Sequence, residues 1–403
     1  MGMKLDAAKW RARRGMAELL NALGAADGLT RYVGGAVRDD LLHLAVNDVD
    51  LATRLQPDEV VRALRAAGIK AVPTGIEHGT VTAVSSGLPV EITTLRRDVS
   101  TDGRRATVAF TEDWEEDAAR RDFTINALSA DPQTGEIFDY FEGLSDLNQR
   151  RVRFIGDPLL RIAEDHLRIL RFFRFHARFG AGAPDPDALQ ACIDRANDLM
   201  ALSRERIADE LLKILALPDP APTIAVMLRH AILQPVLPEI ETSRLRDFQA
   251  LIESEAQAGI EPNPLRRLAS LLPRDPQIAG QIAVRLRLSN KGRVRLTNAS
   301  TQIGAEPSQV LAYRLGVEAA ADRLLLAGRP AEAREVLNSQ PPRLPITGGR
   351  LIELGLQEGP VVARTLRIIE DRWLAEGFPG GETFDAIVDE AVRDARHLPQ
   401  SRN

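Results

Sequence analysis

Cysteine is almost missing: Cys192 is the one thiol in 403 residues. A single thiol excludes an internal disulfide framework and any zinc site built on cysteines, and it fits a reducing, cytoplasmic setting. Buried filler is the role expected of Cys192. Long apolar runs are missing too. None approaches the roughly 20 residues a helix needs to cross a bilayer, so no membrane partner is expected. The stretch from Met1 to Ala25 carries Asp6 and Glu18 and reads as an amphipathic helix, not an export signal. There is no basic excess either: 52 Lys and Arg against 57 Asp and Glu give a net charge of −5, which argues against a protein that coats nucleic acid indiscriminately. The six histidines form no His…His-Asp…Asp set, which excludes an appended phosphohydrolase. The dinucleotide-binding G-x-G-x-x-G fingerprint is incomplete, because Gly34-Gly35 lacks the later glycine. No repeat of fixed period and no low-complexity tract occurs before the polar end Arg396 to Asn403.

What is present changes character once along the chain. From about residue 28 to 140, short β-rich runs at Val33, Asp48 to Thr53, Ile69 to Val72, Thr80 to Val84 and Val90 to Leu95 are separated by glycine and proline. Beyond about residue 150 the period is helical, with breaks at Pro218 to Pro222, Pro262 to Pro264, Pro273 and Pro341 to Pro345. The expected architecture is α+β, with a mixed-sheet head followed by an all-helical extension. A hydrophobic content of 44% supplies cores for roughly two or three domains.

Within the head, Arg31-Tyr-Val33 reads as a strand and Ala36 to Leu44 as a helix. The Gly34-Gly35 N–H groups then sit where a triphosphate could lie, with Arg38 adding a cation. Asp48 and Asp50, read as two residues of one strand, point to one face and are close enough to share divalent cations, while Val49 and Leu51 face the core. Taken singly, a Gly-Gly pair is a tight turn and Asp-x-Asp a solvated turn; in combination they have the layout of a metal-dependent nucleotidyl transferase. Arginine is dense from Arg150 to Arg178. Arg168, Arg171, Arg174 and Arg178 fall on one side of a helix, interleaved with Phe172, Phe173, Phe175 and Phe179. That helix follows the cap pair Asp157-Pro158, stops at Gly180 and can break near Glu164.

In order along the chain stand Val33-Gly-Gly-Ala-Val-Arg-Asp39, Asp48-Val-Asp50, Arg120-Arg-Asp-Phe-Thr-Ile-Asn-Ala127, Glu164-Asp-His-Leu-Arg168 running into Ile169-Leu-Arg-Phe-Phe-Arg-Phe175, and Arg204-Glu-Arg-Ile207. Over about the first half of its length the sequence thereby resembles the bacterial class II CCA-adding enzyme and poly(A) polymerase family, tRNA nucleotidyltransferases of the polymerase-β-like superfamily. The resemblance implies a nucleotidyltransferase head at 1–152, a helical neck at 153–240 that binds the nucleotide base, and a helical body and tail at 241–403 that hold tRNA. It implies that CTP and ATP are the donors, tRNA the acceptor and Mg²⁺ the cofactor.

Residue by residue, Asp48 and Asp50 are expected to hold the metal, and Glu91, in Val90-Glu-Ile-Thr-Thr94, is either a third carboxylate or an exposed strand residue. Gly34, Gly35, Arg38, Arg121, Asp122, Asn126 and Arg171 are expected around the nucleotide. The family's contact to ribose and phosphates falls on Arg121, Asp122 and Asn126, with Asp122 accepting from a 2′-hydroxyl; the plain alternative is an ion pair between Asp122 and a nearby arginine. Asp165 and Arg168, three apart on a helix, are the expected base readers, held by Glu164 through Arg168. A carboxylate accepting from an exocyclic amino group beside a guanidinium donating to a ring nitrogen suits cytosine and adenine, and fails for uracil and guanine. The polar segment Arg96 to Ala119 resembles the mobile loop of the family. Pro73-Thr-Gly-Ile-Glu-His-Gly-Thr-Val81 favours the CCA-adding branch. Poly(A) polymerase, a CC-only or A-only enzyme, and a noncatalytic tRNA-binding protein remain the alternatives.

Overall fold

The computed structural model describes residues 4–5, 10–101 and 106–397. It divides into two compact units, one made of residues 1–242 with 285–287 and the other of 243–284 with 288–403.

The first unit carries the strands β1 (Thr30–Val33), β2 (Asp50–Thr53), β3 (Lys70–Gly75), β4 (Thr80–Ser85), β5 (Leu88–Thr94), β6 (Arg96–Thr101), β7 (Ala106–Phe110), β8 (Ser129–Ala130) and β9 (Ile137–Phe138). The main sheet runs β3-β4-β5-β2-β1-β8-β9, while β6 and β7 pair only with each other. In the main sheet β2 and β5 are parallel, and the other pairs are antiparallel. Alternation explains the sheet's buried face: Val81 and Ala83 on β4 and Val90 and Ile92 on β5 point inward with Leu51. The helices of this unit are α1 (Met16–Ala22), α2 (Gly35–Leu41), α3 (Pro57–Ala66), α4 (Trp114–Ala119), α5 (Gly143–Asn148), α6 (Pro158–Glu164), α7 (Arg168–Phe179), α8 (Pro186–Asp194), α9 (Arg204–Leu215) and α10 (Ala221–Arg229). Helix α3 shows the local logic well. Pro57 opens it, Glu59 reaches back to the Gln56 N–H at 2.9 Å, and Val60 and Leu64 form its buried stripe.

Several expectations are corrected here. Among the described residues up to Ala25, the α-helix is Met16–Ala22 alone, and Gly15 at φ +82° breaks the backbone ahead of it. Helix α2 ends at Leu41, three residues short of Leu44. Strand β2 starts at Asp50, so Asp48 precedes the sheet. The segment Arg96 to Ala119 is a β6–β7 hairpin followed by α4, not an unstructured loop; residues 102–105 lie outside the described ones. The break near Glu164 is real: α6 ends there and Asp165 is extended (φ −151°, ψ 106°) before α7 begins at Arg168.

Aromatic packing fixes α7 against the head. Phe123, which leads into the Thr124–Asn126 turn, lies 5.0 Å from both Phe154 and Phe175 between ring centroids, and Phe172 stacks on Phe154 at 5.7 Å. With the phenylalanines inward, Arg171 reaches Asp122 and Arg178 reaches Asp39 of the head, while Arg174 turns to Glu210 of α9.

The second unit is helical: α11 (Leu245–Ala258), α12 (Pro264–Leu271), α13 (Pro276–Arg285), α14 (Asn290–Ala299), α15 (Ser308–Leu315), α16 (Val317–Leu326), α17 (Pro330–Leu337), α18 (Gly348–Glu353), α19 (Pro360–Ala375) and α20 (Gly381–His397). One core gathers Leu251, Leu311, Leu324 and Val336, and a second gathers Ile369, Trp373, Phe384 and Val388. An ionic network is buried among α11, α12, α14 and α16. Glu255 accepts from Arg266 and Arg267, each at 2.8 Å, and Asp322 accepts from Arg266 at 2.9 Å and Arg295 at 2.7 Å.

Candidate active site

Strand register brings the first elements together. Val33, the last residue of β1, is opposite Asp50, and Asp50 is opposite Glu91 on the parallel β5. The turn that follows β1 therefore lies beside the carboxylate that opens β2. Burial first, and then the charge of Glu91, push the Asp50 carboxyl above the ordinary carboxylate range; Asp48 adds to the push and Arg121 opposes it. Asp48 is exposed on the far side of the buried Val49 and lines a smaller cavity of about 200 Å³ with Arg13 and Arg14. Arg13 donates to the carbonyls of Val46 (2.6 Å) and Asn47 (3.1 Å), which fixes the backbone entering Asp48. Among the described residues no three His, Cys, Asp or Glu side chains converge into a metal cage.

A cavity of about 670 Å³ opens beside Asp50, and every residue expected around the nucleotide lines it: Gly34, Gly35, Arg38, Arg121, Asp122, Asn126, Asp165, Arg168 and Arg171. Arg96, Arg120 and Arg206 join them, so seven arginines face three aspartates in its wall. That excess suits a triphosphate. A cavity of about 720 Å³ between α13 and α14 has Arg293 as its one charged lining residue and lacks such chemistry.

Gly34 has a different part from the one expected. Its N–H is spent on the Leu128 carbonyl at 3.0 Å, so of the glycine pair only Gly35 is left to offer its N–H to a phosphate. Gly34 sits at φ +65°, and a Cβ there would lie 2.9 Å from Arg121 Nη1. The glycine gives Arg121 its place in the cavity. Arg121 and Arg120 are both anchored by the buried Asp117, whose carboxyl burial alone would raise but whose two arginines hold below the ordinary range.

A chain of polar contacts crosses the floor. Arg38 donates to Asn126 Oδ1 at 2.5 Å, and Asn126 Nδ2 donates to Asp122 Oδ1 at 2.9 Å. Asp122 Oδ1 also accepts from the Phe123 N–H at 2.9 Å, while Oδ2 accepts from Arg171 Nε at 2.8 Å and from Arg171 Nη2. A carboxylate has about four acceptor sites, and Asp122 has filled its own. In this state it orients Arg171 and Asn126 and has no lone pair left for a 2′-hydroxyl. Burial works to raise the Asp122 carboxyl, but the charge of Arg171 and these hydrogen bonds hold it below the ordinary range.

At the other end of the cavity, the expected common helical face of Asp165 and Arg168 does not exist. Asp165 stands in the break between α6 and α7, and Arg168 is the first residue of α7. Each is held by other groups. Asp165 accepts from the Leu167 N–H (3.1 Å) and from Arg206 Nη2 (2.7 Å). Arg168 donates to Glu164, as expected, and also to the carbonyls of Arg161 (2.8 Å) and Arg120 (3.3 Å). Anchored separately, carboxylate and guanidinium both line the one cavity.

Sequence reasoning missed Asp117, Arg120 and Arg206. Asp117 is three and four residues before Arg120 and Arg121, a spacing that a helical reading of Trp114–Ala119 would have picked up. Arg206 belongs to a quoted motif but received no role.

Residues 30–153 match the poly A polymerase head domain family, and residues 183–243 match a family described as the probable RNA and SrmB-binding site of polymerase A. The chain is 32% identical over 396 residues to the mitochondrial CCA tRNA nucleotidyltransferase 1 of Mus musculus, covering 93% of this chain and 90% of that protein. It is 33% identical over 360 residues to the CCA-adding enzyme of Leuconostoc mesenteroides, covering 84% and 86% respectively. The fold is that of the Bacillus stearothermophilus CCA-adding enzyme solved with CTP, at a TM-score of 0.72, 24% identity and coverage of 95% of this chain and 99% of that one. The Thermotoga maritima CCA-adding enzyme solved with tRNA gives a TM-score of 0.70 at 20% identity, covering 98% and 100%. Register, cavity and relatives agree, and the chain belongs to the family of CCA-adding tRNA nucleotidyltransferases.

Proposed function

We propose that this protein adds C, C and A to the 3′ end of tRNA from CTP and ATP, without a nucleic-acid template. One observation carries the reading: Asp165 and Arg168, an excess of arginines and the strand-start carboxylate of Asp50 line one cavity. In each round the RNA 3′-oxygen bonds to the α-phosphorus of the nucleotide, the bond to the β-phosphate breaks and pyrophosphate leaves.

Asp48 and Asp50 are assigned the metal, with Glu91 beside them, and Mg²⁺ is the ion of choice. The donor set supports it: all ligands are oxygens, and Asp50 stands next to negative charge that a cation would relieve. Mg²⁺ keeps substrate oxygens and waters as ligands, so it needs no preformed cage of three side chains. When bound it supplies a clamp on the attacking and leaving oxygens. Arg121, Arg171 and Arg38 hold phosphate and ribose. Asp122 and Asn126 set the positions of those arginines.

Asp165 and Arg168 read the base edge. A good paired contact of this kind is worth about 1–3 kcal/mol, roughly tenfold to a hundredfold in selectivity. Residues 1–152 act as the catalytic head, 153–240 as the base-binding neck and 241–403 as the part that holds tRNA. The enzyme is assigned to the cytoplasm, supported by the buried lone thiol of Cys192. Among the described residues no helix is long and apolar enough to cross a membrane.

The test gives the purified protein a tRNA lacking CCA, with Mg²⁺, CTP and ATP, and resolves product length to one nucleotide. Growth that stops at three nucleotides is expected. A stop at two indicates a CC-only enzyme, a long ladder with ATP alone a poly(A) polymerase, and no product a binding protein. Asp165→Ala is expected to let UTP and GTP compete; unchanged selectivity would remove the base-reading role.

A further inference from the structure

We propose that Arg206 is a positioning residue for nucleotide choice: it fixes the plane of the Asp165 carboxylate, so that the cavity offers an acceptor, correctly aimed, to the amino group of C or A. This rests on the reading of Asp165 and Arg168 as the base-reading pair.

The argument starts from where Asp165 stands. It lies in an extended residue between two helices, so no helical neighbour restrains its side chain. A carboxylate free to turn about χ1 and χ2 presents its oxygens to the cavity in many directions, and discrimination between an amino group and a carbonyl oxygen then blurs. Two contacts remove that freedom. Oδ1 accepts from the Leu167 N–H at 3.1 Å, a local turn contact, and Oδ2 accepts from Arg206 Nη2 at 2.7 Å, from an element 41 residues away. Because they act on different oxygens, together they define the plane of the group. Each oxygen retains a further acceptor site for the base.

Arg206 is itself well placed for this. It is the third residue of α9, where its N–H donates to the N-cap Ser203 Oγ. Four residues on, and so on the same face, Glu210 accepts from Arg174 Nε of α7 at 2.6 Å. Successive rungs from one face of α9 therefore reach the helix break and α7. They differ in burial. The Glu210 side chain is 3% exposed, whereas Arg206 and Asp165 are 34% and 29% exposed. A part-exposed pair adds little to stability, and Arg206 lines the nucleotide cavity. Its contribution is orientation.

The test uses the full-length enzyme, tRNA lacking CCA and Mg²⁺, and measures kcat/KM for CTP and for UTP. Arg206→Ala is expected to lower the CTP:UTP ratio about tenfold, the low end of what one paired base contact supplies, with a melting temperature near that of the parent. Arg206→Met, which keeps the aliphatic stem and loses the donor, is expected to do the same and serves where the alanine variant folds poorly. Arg206→Lys restores charge without the planar fork, and part of the ratio with it. Combined with Asp165→Ala, Arg206→Ala is expected to add nothing, since both act through one carboxylate. An Arg206 variant that slows all nucleotides equally and leaves the ratio intact overturns the proposal. So does a double variant whose losses add. If Asp165→Ala itself leaves the ratio unchanged, the base-reading assignment fails first and this inference with it; a relaxed Asp165→Ala beside a selective Arg206→Ala refutes the inference alone.

Discussion

Asp50→Asn takes one negative charge out of a strand pair in which Asp50 and Glu91 stand directly opposite each other. In the native protein burial and Glu91 disfavour the Asp50 anion and raise its pKa. A carboxyl whose folded-state pKa is raised contributes stability at low pH that is lost as pH rises through the carboxylate range, so at neutral pH the ionised group weighs against the fold. Like charges directly across a sheet cost roughly 0.2–1 kcal/mol, and the open cavity beside Asp50 lets solvent screen the pair toward the lower end. The metal-free variant is therefore expected to melt about 1 °C above the parent. Mg²⁺ at ten times its Kd stabilises the parent by about 1.4 kcal/mol, and the variant is expected to lose most of that gain. Activity is expected to fall about a thousandfold or more, since the metal site supplies several kcal/mol of transition-state stabilisation. The assay is calorimetry in EDTA and in Mg²⁺ beside single-turnover CMP addition. A variant that melts below the parent in EDTA, or that still transfers nucleotide at the parent's rate, refutes the reasoning.

Gly34→Ala meets both a positive φ and Arg121 Nη1 at 2.9 Å, whereas a Cβ at Gly35 finds its nearest atom, Arg38 Nη2, at 3.6 Å. Raised KM for CTP is expected from Gly34→Ala, with backbone strain of about 1–3 kcal/mol, and a milder effect from Gly35→Ala; equal effects would count against the Arg121 placement. Asp122 has a lowered pKa, so its contribution to stability is present above the unfolded carboxylate pKa and is lost as pH falls below about 4. Thermal denaturation of Asp122→Asn across that range should give a flatter acid limb than the parent. The buried thiol of Cys192 is pushed well up by burial and is expected to resist alkylation until the protein unfolds, as a time course of thiol labelling in rising urea would show.

Much of the fold was legible because pattern and structure coincide. Strands near Lys70–Gly75, Thr80–Ser85 and Leu88–Thr94, the cap pair Asp157-Pro158 and the stop at Gly180 all stand where alternation, proline and glycine put them. The β6–β7 hairpin was not legible, since Arg96–Thr101 has polar composition and the two strands pair with each other apart from the main sheet. The site divides in the same way. Gly34, Asp50, Arg121 and Arg168 are all in the cavity, where local motif order suggested them. The saturation of Asp122 by Arg171, 49 residues away, and the capture of Asp165 by Arg206 are tertiary contacts with no local trace.

The four charges buried among α11, α12 and α16, with the half-buried Arg295 of α14 beside them, bear on how this chain can vary. Arg266, Arg267, Glu255 and Asp322 are almost wholly buried, and each carboxylate serves two arginines. Removing one partner strands another charge at a cost of about 3–5 kcal/mol, while replacing the whole set with apolar side chains of matching volume costs little. Single-step change is therefore costly at Glu255, Arg266, Arg267 and Asp322, which are expected to be kept together or exchanged as a block, while the half-buried Arg295 has more freedom.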